Sequence, residues 1–226
     1  MKASTVTLSG GQDSTTTLAA AISESNVVGA IHFKYGQRHA IEEQAARYFA
    51  ERYHIPLEIV NVTAFQELGN SALVGNGDVS GLHPTLKNLP ASFVPGRNLV
   101  FMTLASAYAM RVGATQVWTG VCQTDYSGYP DCRRDTMDAL EQAIRLGMDF
   151  GDLEIVTPLM YLTKAQTFAL ARDLGVLDDV LEHSHTCYEG DHVHRHVWGY
   201  GCGECPACRL RASGWQDYQQ SNLGQG

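Results

Sequence analysis

The sequence has no apolar run approaching the ~20 residues that a membrane-spanning helix needs, and its mean hydropathy is −0.16. Its first eleven residues, Met1 to Gly11, show neither the apolar stretch nor the cleavage site of an export signal. A membrane or secreted protein is therefore not expected, and the cytosol is the expected compartment. Positive charge is scarce: 16 Lys and Arg stand against 24 Asp and Glu, a formal net charge of −8. That sign excludes a surface built to grip phosphate backbones over a large area, though a local basic patch is still allowed. Internal repeats and low-complexity tracts are missing too. What is present is 226 residues, 44% apolar and 18% charged. That is enough for one sizeable α/β domain, alone or with an appendage.

Short β-branched runs alternate with longer helical ones, which predicts an open parallel sheet with helices on both faces, a Rossmann-like α/β fold. The strands are expected at Thr5–Leu8, Val27–Phe33, Leu57–Val62, Gln116–Val121 and Glu154–Thr157. Helices are expected over Asp13–Ser23, Gln37–Tyr53, Leu99–Val112 and Arg134–Leu146, and in a segment that Thr163–Gln166 opens as a capping box and Gly175 closes. Leu99–Val112 is apolar almost all round and predicts a deeply buried helix. From Ala64 to Pro95 the periodicity fails, the mark of a functional or mobile segment. After Leu181 the composition turns to His, Cys, Gly and Trp. The expected organisation is a nucleotide-binding α/β domain over 1–181 and a small metal-binding module over 182–226.

Ser9-Gly10-Gly11-Gln12-Asp13-Ser14 directly follows the first strand and opens the first helix. Amides at a helix N-terminus point at an anion there, and glycines let backbone approach a phosphate closely. The Ser9 and Ser14 hydroxyls add donors. Asp13 is the odd member, because a carboxylate beside phosphates repels them unless a cation intervenes. A Mg²⁺ ion with Asp13 as a direct or water-mediated ligand would resolve that conflict. The Walker A lysine is missing. The six residues instead resemble the SGGxDS signature of the PP-loop pyrophosphatases, which implies cleavage of ATP between its α and β phosphates. Leu8 to Thr15 is the expected nucleotide-binding stretch.

Six cysteines occur, at 122, 132, 187, 202, 205 and 208. Cys202, Cys205 and Cys208 lie at i, i+3 and i+6 and can converge on one ion, with Cys187 as a fourth thiolate. Four sulfurs in a closed tetrahedron describe a structural Zn²⁺ site. An iron–sulfur cluster is the competing reading of the same residues. Any of His183, His185, His192, His194 and His196 could substitute at one position. Cys122 and Cys132 are expected as small packing residues. The loop between them, Gln123 to Asp131, should face the first loop, because ligands of open α/β sheets sit beyond the carboxyl ends of the strands. Tyr126 and Tyr129 could stack on a flat heterocycle there, while Asp125 or Asp131 accepts hydrogen bonds from a guanine-like edge.

The resemblance then extends along nearly the whole chain. Leu8–Thr15, Tyr35-Gly36-Gln37-Arg38-His39, Val94-Pro95-Gly96-Arg97-Asn98, Asp125–Arg133, Thr157-Pro158-Leu159 with Thr163-Lys164, and Cys187-Tyr188 with the three-cysteine run and Leu210-Arg211 resemble the 7-cyano-7-deazaguanine synthase (QueC) family of PP-loop enzymes. The family often has alanine where Gly96 stands here. The resemblance implies ATP-dependent conversion of 7-carboxy-7-deazaguanine and ammonia to the nitrile, with zinc held by Cys187, Cys202, Cys205 and Cys208, and a homodimer. Lys164, Arg97 and Arg133 are candidates, by charge and motif membership, for holding phosphate or carboxylate oxygens beside Asp13. Two rival readings use the same loop: a PP-loop enzyme that modifies tRNA, for example by thiolation, and a non-catalytic nucleotide sensor with a zinc knuckle.

Overall fold

The structure is a computed structural model that describes residues 1–37, 39–68, 71–74, 81–83, 85–86, 88–124 and 129–223. Arg38, Asp125, Tyr126, Ser127 and Gly128, all named above, lie outside the described residues. Five parallel strands, β1 (Ala3–Thr7), β2 (Asn26–Lys34), β3 (Leu57–Asn61), β4 (Gln116–Trp118) and β5 (Glu154–Val156), form one sheet in the order β3-β2-β1-β4-β5. The chain runs outward from β1 to β3, then crosses to the other side of β1 for β4. Such a reversal leaves a crevice at the carboxyl ends of β1 and β4, the usual ligand position of an open α/β sheet.

On one face, α1 (Gln12–Glu24) and α2 (Ile41–Arg52) cover the sheet around Val6, Leu18, Ala30, Ala46, Phe49 and Trp118. On the other, α4 (Arg97–Arg111) and α5 (Arg134–Gly147) bury Ile31, Met102, Ala105, Val117, Met137 and Ile144. Both faces of β1 are covered, so even Ser4 and Thr5 are buried; the Ser4 and Ser25 hydroxyls lie 2.7 Å apart.

The segment without periodicity begins with a short α3 (Ala64–Leu68), followed among its described residues by turns and one antiparallel bridge, Leu82 to Pro90. The helix expected to be deeply buried is α4, and it is buried on one side only. Met102, Ala105, Tyr108 and Ala109 face the sheet, while Leu99, Val100, Ala107 and Met110 are exposed. Apolar periodicity identifies a buried face, but a helix apolar on two faces does not say which is covered inside its own chain.

Further on, α6 (Lys164–Asp173) and α7 (Leu177–His183) lead to a two-stranded antiparallel pair, β6 (Arg195–His196) and β7 (Gly199–Tyr200), and to α8 (Pro206–Leu223). These last elements share a core with Phe168 and Leu181: Trp198, Trp215, Tyr218, Cys187, Cys205 and Cys208 pack there.

Candidate active site and metal centre

The loop after β1 is fixed from both sides of Leu8. The Leu8 amide donates to the Ile31 carbonyl at 2.9 Å, and the buried His32 donates from Nδ1 to the Leu8 carbonyl at 2.9 Å. Gly10 then takes φ +88, and a Cβ there would lie 2.4 Å from the Glu42 carbonyl oxygen and 2.8 Å from the Ala46 nitrogen. Only glycine allows the loop to press so closely on the first turn of α2. Gly11 is the N-cap of α1 and supplies no capping side chain, so the leading amides of the helix are kept for an anion. Ser14 Oγ accepts from the Gly10 amide at 3.1 Å, and Ser9 Oγ accepts from the Gly11 amide at 3.3 Å. The Thr15 hydroxyl donates to the Gly11 and Gln12 carbonyls, and Gln12 is buried. Of the expected nucleotide-binding stretch, Ser9 and Asp13 are the members open to solvent; Leu8, Gly10, Gly11, Gln12, Ser14 and Thr15 build the shape beneath them.

Asp13 meets its compensating charge within the chain. Thr163 and Gln166 form the expected capping box: Thr163 Oγ1 accepts from the Gln166 amide at 3.3 Å, and Gln166 Oε1 accepts from the Thr163 amide at 2.8 Å. That cap sets Lys164 at the first position of α6. Its Nζ donates to both Asp13 carboxylate oxygens, at 2.9 and 2.7 Å. The ammonium of Lys164 thus stands at the Ser9–Ser14 loop although the two lie far apart in the chain.

Beside the loop, at the end of β2, Arg97 lies among aromatic rings. Its guanidinium is 5.5 Å from the ring centre of Tyr35 and 5.9 Å from that of Tyr129, and it donates weakly to the Tyr35 hydroxyl at 3.5 Å. Burial opposes the charge on Arg97, but Tyr35, Tyr129 and Asp131 outweigh it and hold its pKa above the ordinary arginine value. Burial pushes the Tyr35 hydroxyl up to about 12 and raises Tyr188 as well. Glu42, on the first turn of α2, is pushed up to about 7 by burial, with the charge of Arg97 working against the rise.

Asp131 and Tyr129 help to build this wall. The Asp131 carboxylate accepts from the Asn98 amide at 3.0 Å, capping the start of α4 and so placing Arg97. Tyr129 is buried, with its hydroxyl 2.6 Å from that of Ser92. Arg133 is exposed at the N-cap of α5. Cys122 is buried near Thr124, and Cys132 Sγ accepts from Asn98 Nδ2 at 3.2 Å; both lie outside the four-cysteine cluster.

That cluster consists of Cys187, Cys202, Cys205 and Cys208, with all four sulfurs within 4.8 Å of one another. Cys202 and Cys208 sulfurs are 3.9 Å apart, against about 3.8 Å for thiolates 2.3 Å from one tetrahedral ion. Backbone amides of Cys202, Glu204 and Cys205 donate to sulfur at 3.3–3.4 Å, the outer-shell support that a ligating thiolate needs. Hydrogen bonds from Cys205 and Cys208 hold Cys187 toward its thiolate, while Cys187 pushes Cys205 up to about 11 and Cys208 higher still. Four sulfurs this close can all ionise only around a cation, so the donor set fits a soft divalent metal. The neighbouring histidines are engaged elsewhere: His196 Nε2 lies 2.9 Å from the Gly201 carbonyl, His194 pairs with Asp191, and His183 stacks on Tyr48.

Glu42 was not legible as a site residue in the sequence, since one acidic residue in a first helical turn is ordinary. Arg211 stands out in the sequence only through the Leu210-Arg211 match; its burial is a finding of the structure.

A family model described as QueC, queuosine biosynthesis protein QueC, matches residues 3–219. The chain is 52% identical over 218 residues to a 7-cyano-7-deazaguanine synthase of Wolinella succinogenes, covering 96% of this chain and 93% of the relative. It is 44% identical over 222 residues to one of Helicobacter pylori strain P12, covering 97% of each. Among solved structures, a 4-thiouridine synthetase in complex with RNA and ATP superposes with a TM-score of 0.55 at 14% identity. That likeness covers 98% of this chain but only about half, 52%, of the synthetase, and it concerns the fold.

Proposed function

The chain belongs to the QueC family of queuosine biosynthesis proteins, and from that membership we propose that it is an ATP-consuming carbon–nitrogen ligase that converts 7-carboxy-7-deazaguanine and ammonia to 7-cyano-7-deazaguanine. The observation that carries the reading is the extent of the family match. Residues 3–219 take in the SGGQDS loop, the Arg97 wall and all four cysteines together.

The chemistry follows from the acid. A carboxylate and ammonia at neutral pH only exchange a proton, so the carboxylate must first gain a leaving group. Its oxygen attacks the α-phosphorus of ATP, the α–β bond breaks, and pyrophosphate leaves an acyl-adenylate. Ammonia displaces AMP and loses a proton, giving the amide. The amide oxygen then attacks the α-phosphorus of a second ATP, pyrophosphate leaves again as the nitrogen gives up one proton, and the resulting imidate loses AMP and the second N–H proton to yield the nitrile. In this reading the loop amides and the Ser9 hydroxyl hold the departing pyrophosphate, Ser14 braces the loop from beneath by donating to the Gly11 carbonyl, and Lys164 moves charge toward the leaving group. Arg97 holds the substrate carboxylate against the Tyr35–Tyr129 wall, and Arg133 reaches in from the rim. Tyr126 and Tyr129 remain proposed to stack on the flat heterocycle, with Asp125 or Asp131 accepting from its guanine-like edge. Mg²⁺ entering with ATP would neutralise charge on the pyrophosphate, with Asp13 as its protein ligand.

Zinc is the metal we assign to the four cysteines, since one small ion fits sulfurs this close better than a multi-iron cluster, which spreads its thiolates around several metal atoms. Residues 1–181 are then the nucleotide-binding part and 182–226 the metal-binding module packed on it. The exposed apolar face of α4, with Leu99, Val100 and Met110, is proposed to close against a second copy. No helix among the described residues is long and apolar enough to cross a membrane, and a cytoplasmic location is proposed. Mass spectrometry of 7-carboxy-7-deazaguanine incubated with the protein, Mg-ATP and ammonium tests the assignment. The nitrile should appear only with all three present; an unchanged acid would refute it.

A further inference from the structure

Arg211 is 1% exposed, the largest fully buried side chain among the described residues. Among the described residues no carboxylate lies within ion-pair distance of its guanidinium. Its hydrogen-bond partners are neutral: Nη1 donates to Thr186 Oγ1 at 3.1 Å and Nη2 to the Val180 carbonyl at 3.1 Å, while Nε has none. A buried, unpaired cation is costly, so the fold must gain something from it. Room has been kept for it. Gly199, at φ +117, would place a Cβ 2.6 Å from Nη2.

The other end of this contact is the phosphate loop. The His185 amide donates to the Gly10 carbonyl at 2.8 Å. A Cβ on Gly11 would lie 3.2 Å from Thr186 Cγ2 and 3.4 Å from the His185 carbonyl. Residues 185–186 thus form a wall against the two glycines, and Arg211 fastens that wall. Cys187 follows Thr186 directly, and Cys208 precedes Arg211 by one helical turn, so the sulfur cluster ties the two strands of this contact together. Asp13 in the loop is the chief favourable charge acting on Arg211.

We propose that Arg211 is a positioning residue for the ATP loop. Through Thr186 it holds Gly10 and Gly11 in the form that binds the β and γ phosphates, and its buried charge favours an anion at that place. The inference rests on the reading of the loop as the ATP site. It makes the cysteine module a buttress of the nucleotide site as well as a staple of the chain.

Calorimetric titration with α,β-methylene-ATP and with AMP tests it on wild type, Thr186→Val and Arg211→Lys. Valine removes the hydroxyl but keeps the branched contact on Gly11; lysine keeps the charge but cannot reach both partners. Both variants should bind the triphosphate analogue roughly five- to tenfold more weakly, the loss of one charge-assisted hydrogen bond. Affinity for AMP should change by less than about twofold, with the metal content unaltered. If Arg211→Lys does not fold, Thr186→Val still decides. A Thr186→Val protein that binds the analogue as wild type does, or that loses AMP and analogue alike, overturns the inference alone. A wild type that binds neither nucleotide overturns the ATP site as well.

Discussion

Lys164 and Asp13 are 151 residues apart in the chain, yet the lysine Nζ lies 2.9 and 2.7 Å from the two carboxylate oxygens. The pair is largely enclosed, with the side chains 10% and 27% exposed, and it stands at the loop proposed to hold ATP. A cation that neutralises Asp13 at rest is placed to follow negative charge onto a leaving pyrophosphate. Asp13→Asn should retain the fold at a cost of roughly 2 kcal/mol, because it strands one mostly buried charge. Turnover should fall by on the order of 100-fold or more, since the lost charge orients Lys164 and is the proposed protein ligand of a Mg²⁺ entering with ATP. Urea melts and nitrile formation rates check the two halves. An Asp13→Asn enzyme with near wild-type turnover would contradict this role.

The cysteine cluster should be needed for folding. A structural zinc contributes roughly 10–16 kcal/mol of binding free energy, more than the whole net stability of an ordinary domain. Cys187, Cys205 and Cys208 also sit inside the core of Trp198, Trp215, Tyr218 and Phe168, with Cys202 packed against it. Cys205→Ser should therefore aggregate or lose its fixed tertiary structure, and elemental analysis of wild type should find about one zinc per chain. A soluble, active, metal-free Cys205→Ser protein would falsify the structural-zinc reading.

Glu42 sets a pH dependence. Burial raises its pKa from 4.5 to about 7, so between those values the folded protein binds more protons than the unfolded chain. Stability therefore falls as pH rises through this window. Glu42→Gln removes the titrating group. Its melting temperature relative to wild type should rise from pH 5 to about pH 7 and level off above that. A constant difference across that range would mean that Glu42 is not held protonated by its surroundings.

On the outer face of α4, a charge should act on assembly and not on folding. Val100 is exposed and lies on the side of the helix away from the sheet. Light scattering should find wild type as a dimer at micromolar concentration and Val100→Glu as a folded monomer. A monomeric wild type would remove the proposed second copy from this face.

Much of this was legible in the sequence because the signals were local. The strand–glycine–helix junction at Leu8–Thr15, the capping box at Thr163, and the i, i+3, i+6 cysteines each encode geometry within a few residues. The less legible parts depend on distance. β4 spans only Gln116–Trp118, and just beyond it Gly120 passes so close to α1 that a Cβ there would lie 3.0 Å from the Asp13 carbonyl carbon. The long α8 was hidden by Pro206 and Gly214, which lower helix propensity without preventing a helix packed on α6. Nothing near Asp13 in sequence announces Lys164, and nothing near Arg211 announces Thr186. Those partners meet only when the C-terminal elements dock against the phosphate loop.

The central claim concerns which bond of ATP breaks. The loop lacks a Walker lysine, and in the proposed function its amides, the Ser9 hydroxyl and Lys164 receive a pyrophosphate leaving group, so adenylation should drive both amide formation and dehydration. Chromatography of the nucleotides formed during conversion of 7-carboxy-7-deazaguanine, ammonium and Mg-ATP decides it. The account predicts about two AMP and two pyrophosphate for each nitrile, as each of the two activations uses one ATP. Accumulation of ADP and phosphate in step with the nitrile, without AMP, would contradict it.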